Sequence, residues 1–105
     1  MLEKDKRVIE QFKHLLEQKI KVYELKVFGS RARDEAREES DLDVLVIVES
    51  ISHAIEKEIS NCAWEVGFNN DVLIVALPMS IDTLKNTPIR ESIFIQNVLR
   101  DGITV

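Results

Sequence analysis

The feature that most constrains this chain is an apolar segment that ends at a glycine-serine pair and is followed by two aspartates and a second apolar run. The stretch covers residues 27–48 and reads VFGSRARDEAREESDLDVLVIV. Asp41 and Asp43 stand two positions apart where the apolar run begins. On a strand, both side chains project to the same face. Carboxylates arranged in this way can share a divalent metal ion such as Mg²⁺, so the stretch predicts a strand with a metal site at its start.

The glycine-serine pair predicts an anion site close to the metal site. Gly29 and Ser30 end the first apolar segment, and Arg31 and Arg33 follow them. If that segment is a strand leading into a helix, the first helical turn offers unbonded backbone N–H groups, which bind phosphate. Glycine at this point lets the backbone approach the phosphate closely. A phosphate site and a metal site separated by one short helix together predict a nucleoside triphosphate site.

The charges on this predicted helix, residues 30–38, oppose its dipole. Arg31 and Arg33 lie at the positive N-terminal end, whereas Glu35 and Glu38 lie toward the negative end. Each unfavourable placement of charge costs the helix about 0.3 to 1 kcal/mol of stability. A triphosphate bound at the N-terminal end would make the placement of the arginines favourable. The alternative, a solvated arginine-rich surface helix, is disfavoured by the two aspartates that follow.

The spacing of these residues resembles the signature of the polymerase-beta-like nucleotidyltransferase superfamily. Gly29-Ser30, ten further residues and the Asp41-x-Asp43 pair match that signature. The GSRAR segment looks like that of the smallest branch, the minimal nucleotidyltransferases, and the resemblance covers nearly the whole chain. It departs from the branch at Asp34, where glycine often stands.

The resemblance implies an activity, a cofactor and a partner. Minimal nucleotidyltransferases act as antitoxins of type VII toxin-antitoxin systems and transfer AMP from ATP to a tyrosine of a HEPN-domain toxin ribonuclease. By this resemblance, Asp41 and Asp43 would hold two Mg²⁺ ions. The β- and γ-phosphates of ATP would bind the backbone and side chains of Gly29, Ser30, Arg31 and Arg33.

A third carboxylate is predicted on the next strand. Asp71 follows a helical pattern over residues 51–68 and precedes the apolar run 72–77, which ends at Pro78. A strand, a crossover helix and a second strand favour parallel neighbours, which would bring Asp71 beside the two earlier aspartates. In the family the third carboxylate lies on the next core strand, and Asp71 is the acidic residue placed to match it. We therefore expect Asp71 to hold one metal ion and to help remove the acceptor proton.

The remaining pattern predicts an α/β fold. Apolar periodicity indicates helices over residues 3–19 and 88–100, a strand over 21–28 and a short helix over 80–85. Thr87 would cap the last helix and Gly102 would end it. The resulting order, α-β-α-β-α-β-α, gives a small mixed sheet of about three strands flanked by helices, which the resemblance equates with the polymerase-beta-like palm core. The length fits a single domain over residues 1–105.

Two apolar surfaces have more than one interpretation. The last helix is apolar over much of its circumference, which indicates either deep packing or a subunit interface with the toxin or a second copy. Trp64 and Phe68 form a second apolar edge that would pack under a neighbouring helix or contact a partner. Cys62 falls on the buried stripe of its helix and is interpreted as core filler.

Composition and charge narrow the class of partner. The formal net charge of −5 weighs against a general nucleic-acid binder. No apolar run approaches membrane-spanning length, the N-terminal segment is charged, and a single cysteine cannot form an internal disulfide, so we expect a cytoplasmic protein.

The acceptor is expected on another molecule, because 105 residues leave no room for the acceptor-binding domains of larger relatives. Together with the acidic charge, this favours a protein acceptor. Two alternatives stay open. The chain could be a non-catalytic module that neutralises a HEPN toxin by binding alone, or a nucleotidyltransferase that completes a small-molecule site by dimerising.

Overall fold

The computed structural model of the chain describes residues 1–33 and 41–105, which form a four-stranded mixed sheet flanked by helices. The helices are α1 Glu3–Glu17, α2 His53–Asn69, α3 Ile81–Asn86 and α4 Ile93–Asp101, with a 3₁₀ turn at Pro88–Glu91. The strands are β1 Glu24–Phe28, β2 Leu42–Val48, β3 Ile74–Ser80 and β4 Ile103–Thr104. The helix predicted over residues 30–38 lies mostly outside the described residues.

The sheet has the order β3-β2-β1-β4. Strands β2 and β3 are parallel, as the crossover helix α2 predicts. Their register places Val75 opposite Asp43. Strand β1 is antiparallel to β2, and β4 is antiparallel to β1. The α/β class and the mixed sheet are therefore confirmed, and β4 is an additional two-residue strand that the sequence pattern did not predict.

The central strand β2 is buried on both faces, as its continuous apolar run predicts. One face packs against α1 and α2 through Leu42, Val44, Val46 and Val48. The other face packs against α3 and α4 through Leu45 and Ile47. Because side chains alternate along a strand, Asp43 lies on the second face, away from α1 and α2.

Two boundaries differ from the predicted ones. Pro78 lies inside β3 instead of ending it, because β3 is at the edge of the sheet and a proline there loses no ladder hydrogen bond when its nitrogen faces outward. The predicted last helix is divided at Ser92, whose side chain accepts a hydrogen bond from the Ile95 N–H at 3.2 Å and caps α4. Thr87 caps the preceding 3₁₀ turn, and Gly102 ends α4 as predicted.

The two apolar surfaces have different environments. Ile95 and Val98 of α4 are buried, whereas Ile93 and Phe94 are exposed, so α4 packs on one side only. On α2, Trp64 and Phe68 are exposed and stack on each other with ring centroids 5.1 Å apart. Cys62, by contrast, is buried as predicted. Across residues 1–33 and 41–105, no helix has both the length and the apolar character needed to cross a membrane.

Candidate active site

The glycine of the glycine-serine pair lies against one of the two aspartates. Strand β1 ends at Phe28, which is directly opposite Asp43 in the antiparallel register. Gly29 follows with φ +79°, a backbone conformation that favours glycine. A Cβ atom built at position 29 would lie 2.6 Å from Oδ2 of Asp43. The structure therefore brings together the turn predicted to bind phosphate and a carboxylate predicted to bind metal.

The two carboxylates at the start of β2 occupy different environments. Asp41 is exposed, whereas Asp43 is partly buried. Burial raises the pKa of Asp43, and the neighbouring charge of Asp41 raises it further. Both causes disfavour the ionised carboxylate, and a nearby cation would relieve them.

The residues present fit the Mg²⁺ ion that the resemblance implies. Carboxylate oxygens are ligands for this hard cation, which is commonly held by one or two protein carboxylates together with substrate phosphates. Asp41 and Asp43 supply two such carboxylates, and the turn predicted to bind phosphate lies against Asp43 at Gly29.

The turn that begins at Gly29 extends to Arg33. The backbone N–H of Arg33 donates to the carbonyl of Gly29 at 3.3 Å. Ser30 is half-buried and Arg33 is exposed. The charge of Arg33 is one of the causes that lower the pKa of Asp101 on α4, after the stronger hydrogen bond from Arg100. Arg33 is therefore an exposed cation beside the turn, and its role in binding phosphate stays a prediction.

Arg31, predicted to bind phosphate, is buried and paired with an aspartate. Its Nη1 atom donates to Oδ1 of Asp5 at 2.8 Å, and the two side chains are 6% and 4% exposed. Asp5 belongs to the first turn of α1. The structure therefore places the Arg31 side chain in an internal ion pair with α1, and its role in binding phosphate stays a prediction.

Asp71 does not lie beside the other two aspartates in the strand register. The residue opposite Asp43 is Val75, and β3 begins at Ile74. Asp71 lies in the turn after α2 with φ 55°, where its N–H donates to the carbonyl of Phe68 at 3.4 Å. Within the part of the chain that the structure describes, no group of three or more histidine, cysteine, aspartate or glutamate side chains could hold a metal ion. The role of Asp71 as a third ligand stays a prediction.

A cavity of about 240 Å³ opens beside the glycine turn. Its aromatic wall consists of Phe28 and Phe94, whose rings meet edge to face with centroids 5.4 Å apart. The other lining residues come from the turn and from α4: Gly29, Ala32, Arg33, Asn97, Val98 and Asp101. Sequence patterns missed this cavity, because the apolar period of the last helix gives no sign that Phe94 meets Phe28. Its aromatic wall suits a planar ring.

A glycine turn closed onto a carboxylate at the start of a central strand is the arrangement expected of a nucleotidyl-transferring protein from the sequence resemblance. The comparison with known families agrees. The sequence model of the family described as "Nucleotidyltransferase domain" matches residues 6–97. The chain therefore belongs to the nucleotidyltransferase domain family.

The proteins similar to this chain include one curated relative and two solved structures. A 41-residue segment is 42% identical to a proposed protein adenylyltransferase of Methanocaldococcus jannaschii, and it spans 39% of this chain and 42% of that protein. The first structure is a toxin-antitoxin with AMP-PNP, with a TM-score of 0.65 at 16% identity over 98% of this chain and 72% of that chain. The second is a mutant of the toxin-antitoxin MntA-HpeT, with a TM-score of 0.62 at 13% identity over 95% and 70%. At these identities, the likeness to the two structures shows the fold alone.

Proposed function

We propose that this chain uses Mg-ATP to transfer AMP to a protein hydroxyl, a tyrosine of a HEPN toxin ribonuclease, and so acts as the antitoxin of a toxin-antitoxin pair. The observation that carries the proposal is the approach of Gly29 to Asp43, which brings the turn predicted to bind phosphate against a carboxylate predicted to bind metal. Membership of the nucleotidyltransferase domain family supports the reaction class. The similar fold of a toxin-antitoxin with AMP-PNP supports the nucleotide and the kind of partner.

The roles of the residues in binding follow from their positions. The backbone N–H groups of Gly29 and Ser30 and the guanidinium of Arg33 bind the β- and γ-phosphates. Asp41 and Asp43 hold Mg²⁺, which when bound neutralises charge on the phosphates during transfer. Since Val75 lies opposite Asp43 and Asp71 precedes β3, we assign the metal to these two aspartates alone.

The reaction is an in-line displacement at the α-phosphorus. The acceptor oxygen forms a bond to that phosphorus, the bond to the pyrophosphate oxygen breaks, and the hydroxyl proton passes to a base. The sequence-based prediction gives the last role to Asp71.

A protein acceptor is supported by the apolar border of the carboxylate pair. Val75, opposite Asp43, is 42% exposed, and Leu73, whose carbonyl accepts the N–H of Leu42, is 61% exposed. Large apolar side chains exposed together are typical of protein contact surfaces. A small polar acceptor would gain little from them.

The test is the intact mass of a HEPN-domain toxin ribonuclease, measured after incubation with this chain, ATP and Mg²⁺. We expect mass increments of one or more AMP units and loss of the partner's nuclease activity. The doubly substituted Asp41→Ala, Asp43→Ala chain should add no mass. Asp82→Ala serves as the matched control, because Asp82 is an exposed aspartate of α3 away from the site.

Two other outcomes would overturn the proposal in different ways. If the nuclease is blocked without any added mass, the chain neutralises its partner by binding alone. If the chain transfers AMP to a small molecule in the absence of any partner, the acceptor is not a protein.

A further inference from the structure

The ion pair between Asp5 and Arg31 is unusual within the described part of this chain, because its members are the two charged residues buried there. The Nη1–Oδ1 distance is 2.8 Å, and the pair joins residues 26 positions apart. Oδ2 of Asp5 is buried too, and no donor among the described residues reaches it.

A buried ion pair of this kind adds little net stability to a folded protein. Two charges removed from water lose hydration that their mutual attraction only partly restores, and apolar residues of similar volume often replace a buried ion pair without loss of stability. A buried acceptor left without a hydrogen bond adds a further unfavourable contribution. The arrangement is therefore better explained by a geometric role than by stability.

The position of the ion pair indicates which segment it holds in place. Arg31 is two residues beyond Gly29, inside the turn that the Arg33 N–H closes onto the Gly29 carbonyl. Asp5 lies on α1, whose buried residues Val8, Ile9 and Phe12 anchor the helix in the core. A rigid guanidinium fork held by a carboxylate on an anchored helix fixes the turn in place.

We propose that Asp5 and Arg31 are positioning residues, which hold the turn of residues 29–33 against Asp43 so that its backbone N–H groups are aimed at the phosphates of the nucleotide. Helix α1 is then part of the nucleotide site although it does not touch the nucleotide. This inference rests on the proposed function for the identity of the ligand, but the fixed geometry of the turn can be measured without it. The family match begins at residue 6, so Asp5 lies just outside it.

The decisive variant is the double substitution Asp5→Leu, Arg31→Met, which replaces the buried pair with apolar side chains of similar size. Three quantities are measured: the melting temperature, the dissociation constant for AMP-PNP with Mg²⁺, and the amide hydrogen exchange of residues 29–33. Glu3→Gln, an exposed acidic residue in the same first turn of α1, is the matched control.

We expect the double variant to fold with a melting temperature close to that of the unsubstituted chain. Its dissociation constant should rise roughly 10- to 100-fold, the effect of a misplaced binding group, and exchange at residues 29–33 should accelerate. Glu3→Gln should change none of the three quantities. Unchanged affinity and unchanged exchange in a folded double variant would overturn the proposal.

If the double variant does not fold, Asp5→Asn and Arg31→Lys are judged by the same measurements at a temperature where they are folded. Asp5→Asn removes the charge and keeps the shape, whereas Arg31→Lys keeps the charge and loses the planar fork. Both should weaken binding and accelerate exchange, and wild-type values in both would count against positioning.

The design separates the two proposals. If the unsubstituted chain binds no AMP-PNP while exchange at residues 29–33 still depends on Asp5, the proposed function fails and the positioning role stands. If the unsubstituted chain and all variants bind the nucleotide equally, the positioning role fails and the proposed function stands.

Discussion

Gly29 lies against the carboxylate of Asp43, with 2.6 Å between Oδ2 and the place where a Cβ atom would stand. We expect Gly29→Ala to lose Mg-nucleotide binding, because the methyl group must displace either the carboxylate or the turn. The left-handed backbone at this position adds a loss of about 1 to 2 kcal/mol in stability. Titration with AMP-PNP and thermal unfolding measure the two effects.

Gly67→Ala is the control for the loss of stability. A Cβ atom there would lie 2.5 Å from the carbonyl oxygen of Val72, so the variant is destabilised at a point away from the turn. It should bind nucleotide as the unsubstituted chain does at a temperature where both are folded. A Gly29→Ala chain with normal affinity would show that the turn does not contact the phosphates.

Asp43→Asn should stabilise the metal-free protein at neutral pH. Burial and the charge of Asp41 raise the pKa of Asp43 above its ordinary value of 3.8, so the folded state binds this proton more tightly than the unfolded state. The ionised carboxylate therefore opposes folding at pH values above its raised pKa. The gain should stay below about 1 kcal/mol, because solvent screens a partly exposed charge.

The pH dependence of the melting temperature tests whether the ionised Asp43 carboxylate opposes folding. The difference in melting temperature between Asp43→Asn and the unsubstituted chain should shrink as the pH falls through the raised pKa and vanish below the ordinary value. Mg²⁺ added at pH 7 should raise the melting temperature of the unsubstituted chain and not that of the variant. A variant less stable than the unsubstituted chain at pH 7 without metal would contradict the assignment.

The contributions of the three aspartates to transfer should differ. Asp41→Asn and Asp43→Asn should each reduce the transfer rate by roughly 100-fold or more, because the charge that balances the developing transition state is lost. Asp71→Asn should reduce the rate by a smaller factor, because Asp71 is proposed to accept the proton and not to hold the metal ion, and Val75 lies opposite Asp43. A loss with Asp71→Asn as large as that with Asp43→Asn would restore the third carboxylate predicted from sequence.

The sequence predicted those parts of the fold that depend on local pattern. The apolar run after Asp43 indicated a central strand, and a strand, helix and strand indicated a parallel pair. Contacts between residues far apart in the sequence could not be predicted from local pattern. No residue near Arg31 indicates that its partner is Asp5 on α1. Strand β4 was missed because two residues cannot display a period of two.

The predicted start of β3 differs from the start in the structure, and the role of Asp71 stays a prediction. The apolar run begins at Val72, which suggested that Asp71 opens the strand. In the structure Val72 closes the turn after α2, since its N–H donates to the carbonyl of Gly67 at 3.0 Å, and the strand register begins at Ile74. Composition cannot distinguish an apolar residue in such a turn from one in the ladder.

Cys62 should resist alkylation in the folded protein. The thiol is buried in the core, and burial is the largest cause that raises its pKa. Because the thiolate is the reactive form, iodoacetamide at pH 8 should leave the native chain unmodified and should modify it fully in guanidinium. Intact mass measures both states, and rapid native modification would show that α2 detaches from the core.

Ser52→Ala should lower stability by about 1 kcal/mol, because the Ser52 hydroxyl caps α2 by accepting the Ile55 N–H at 3.1 Å. In a chain of this length the loss corresponds to a melting temperature lower by roughly 4 to 8 °C. Ser60→Ala, at an exposed position inside the same helix, is the control and should change little. Equal effects of the two substitutions would exclude the cap as the cause.

The position of Pro78 limits how chains can associate along the sheet. The carbonyl of Leu73 points toward β2. Because N–H and C=O groups alternate in direction along a strand, those of every second residue point away from β2, at Ile74, Ala76 and Pro78. A strand added at this edge can therefore accept hydrogen bonds from the N–H groups of Ile74 and Ala76. At Pro78 it finds no N–H donor. Only a short extended segment can pair here, next to the apolar border of the carboxylates. Copies of the chain are thereby prevented from polymerising edge to edge through a long β-ladder.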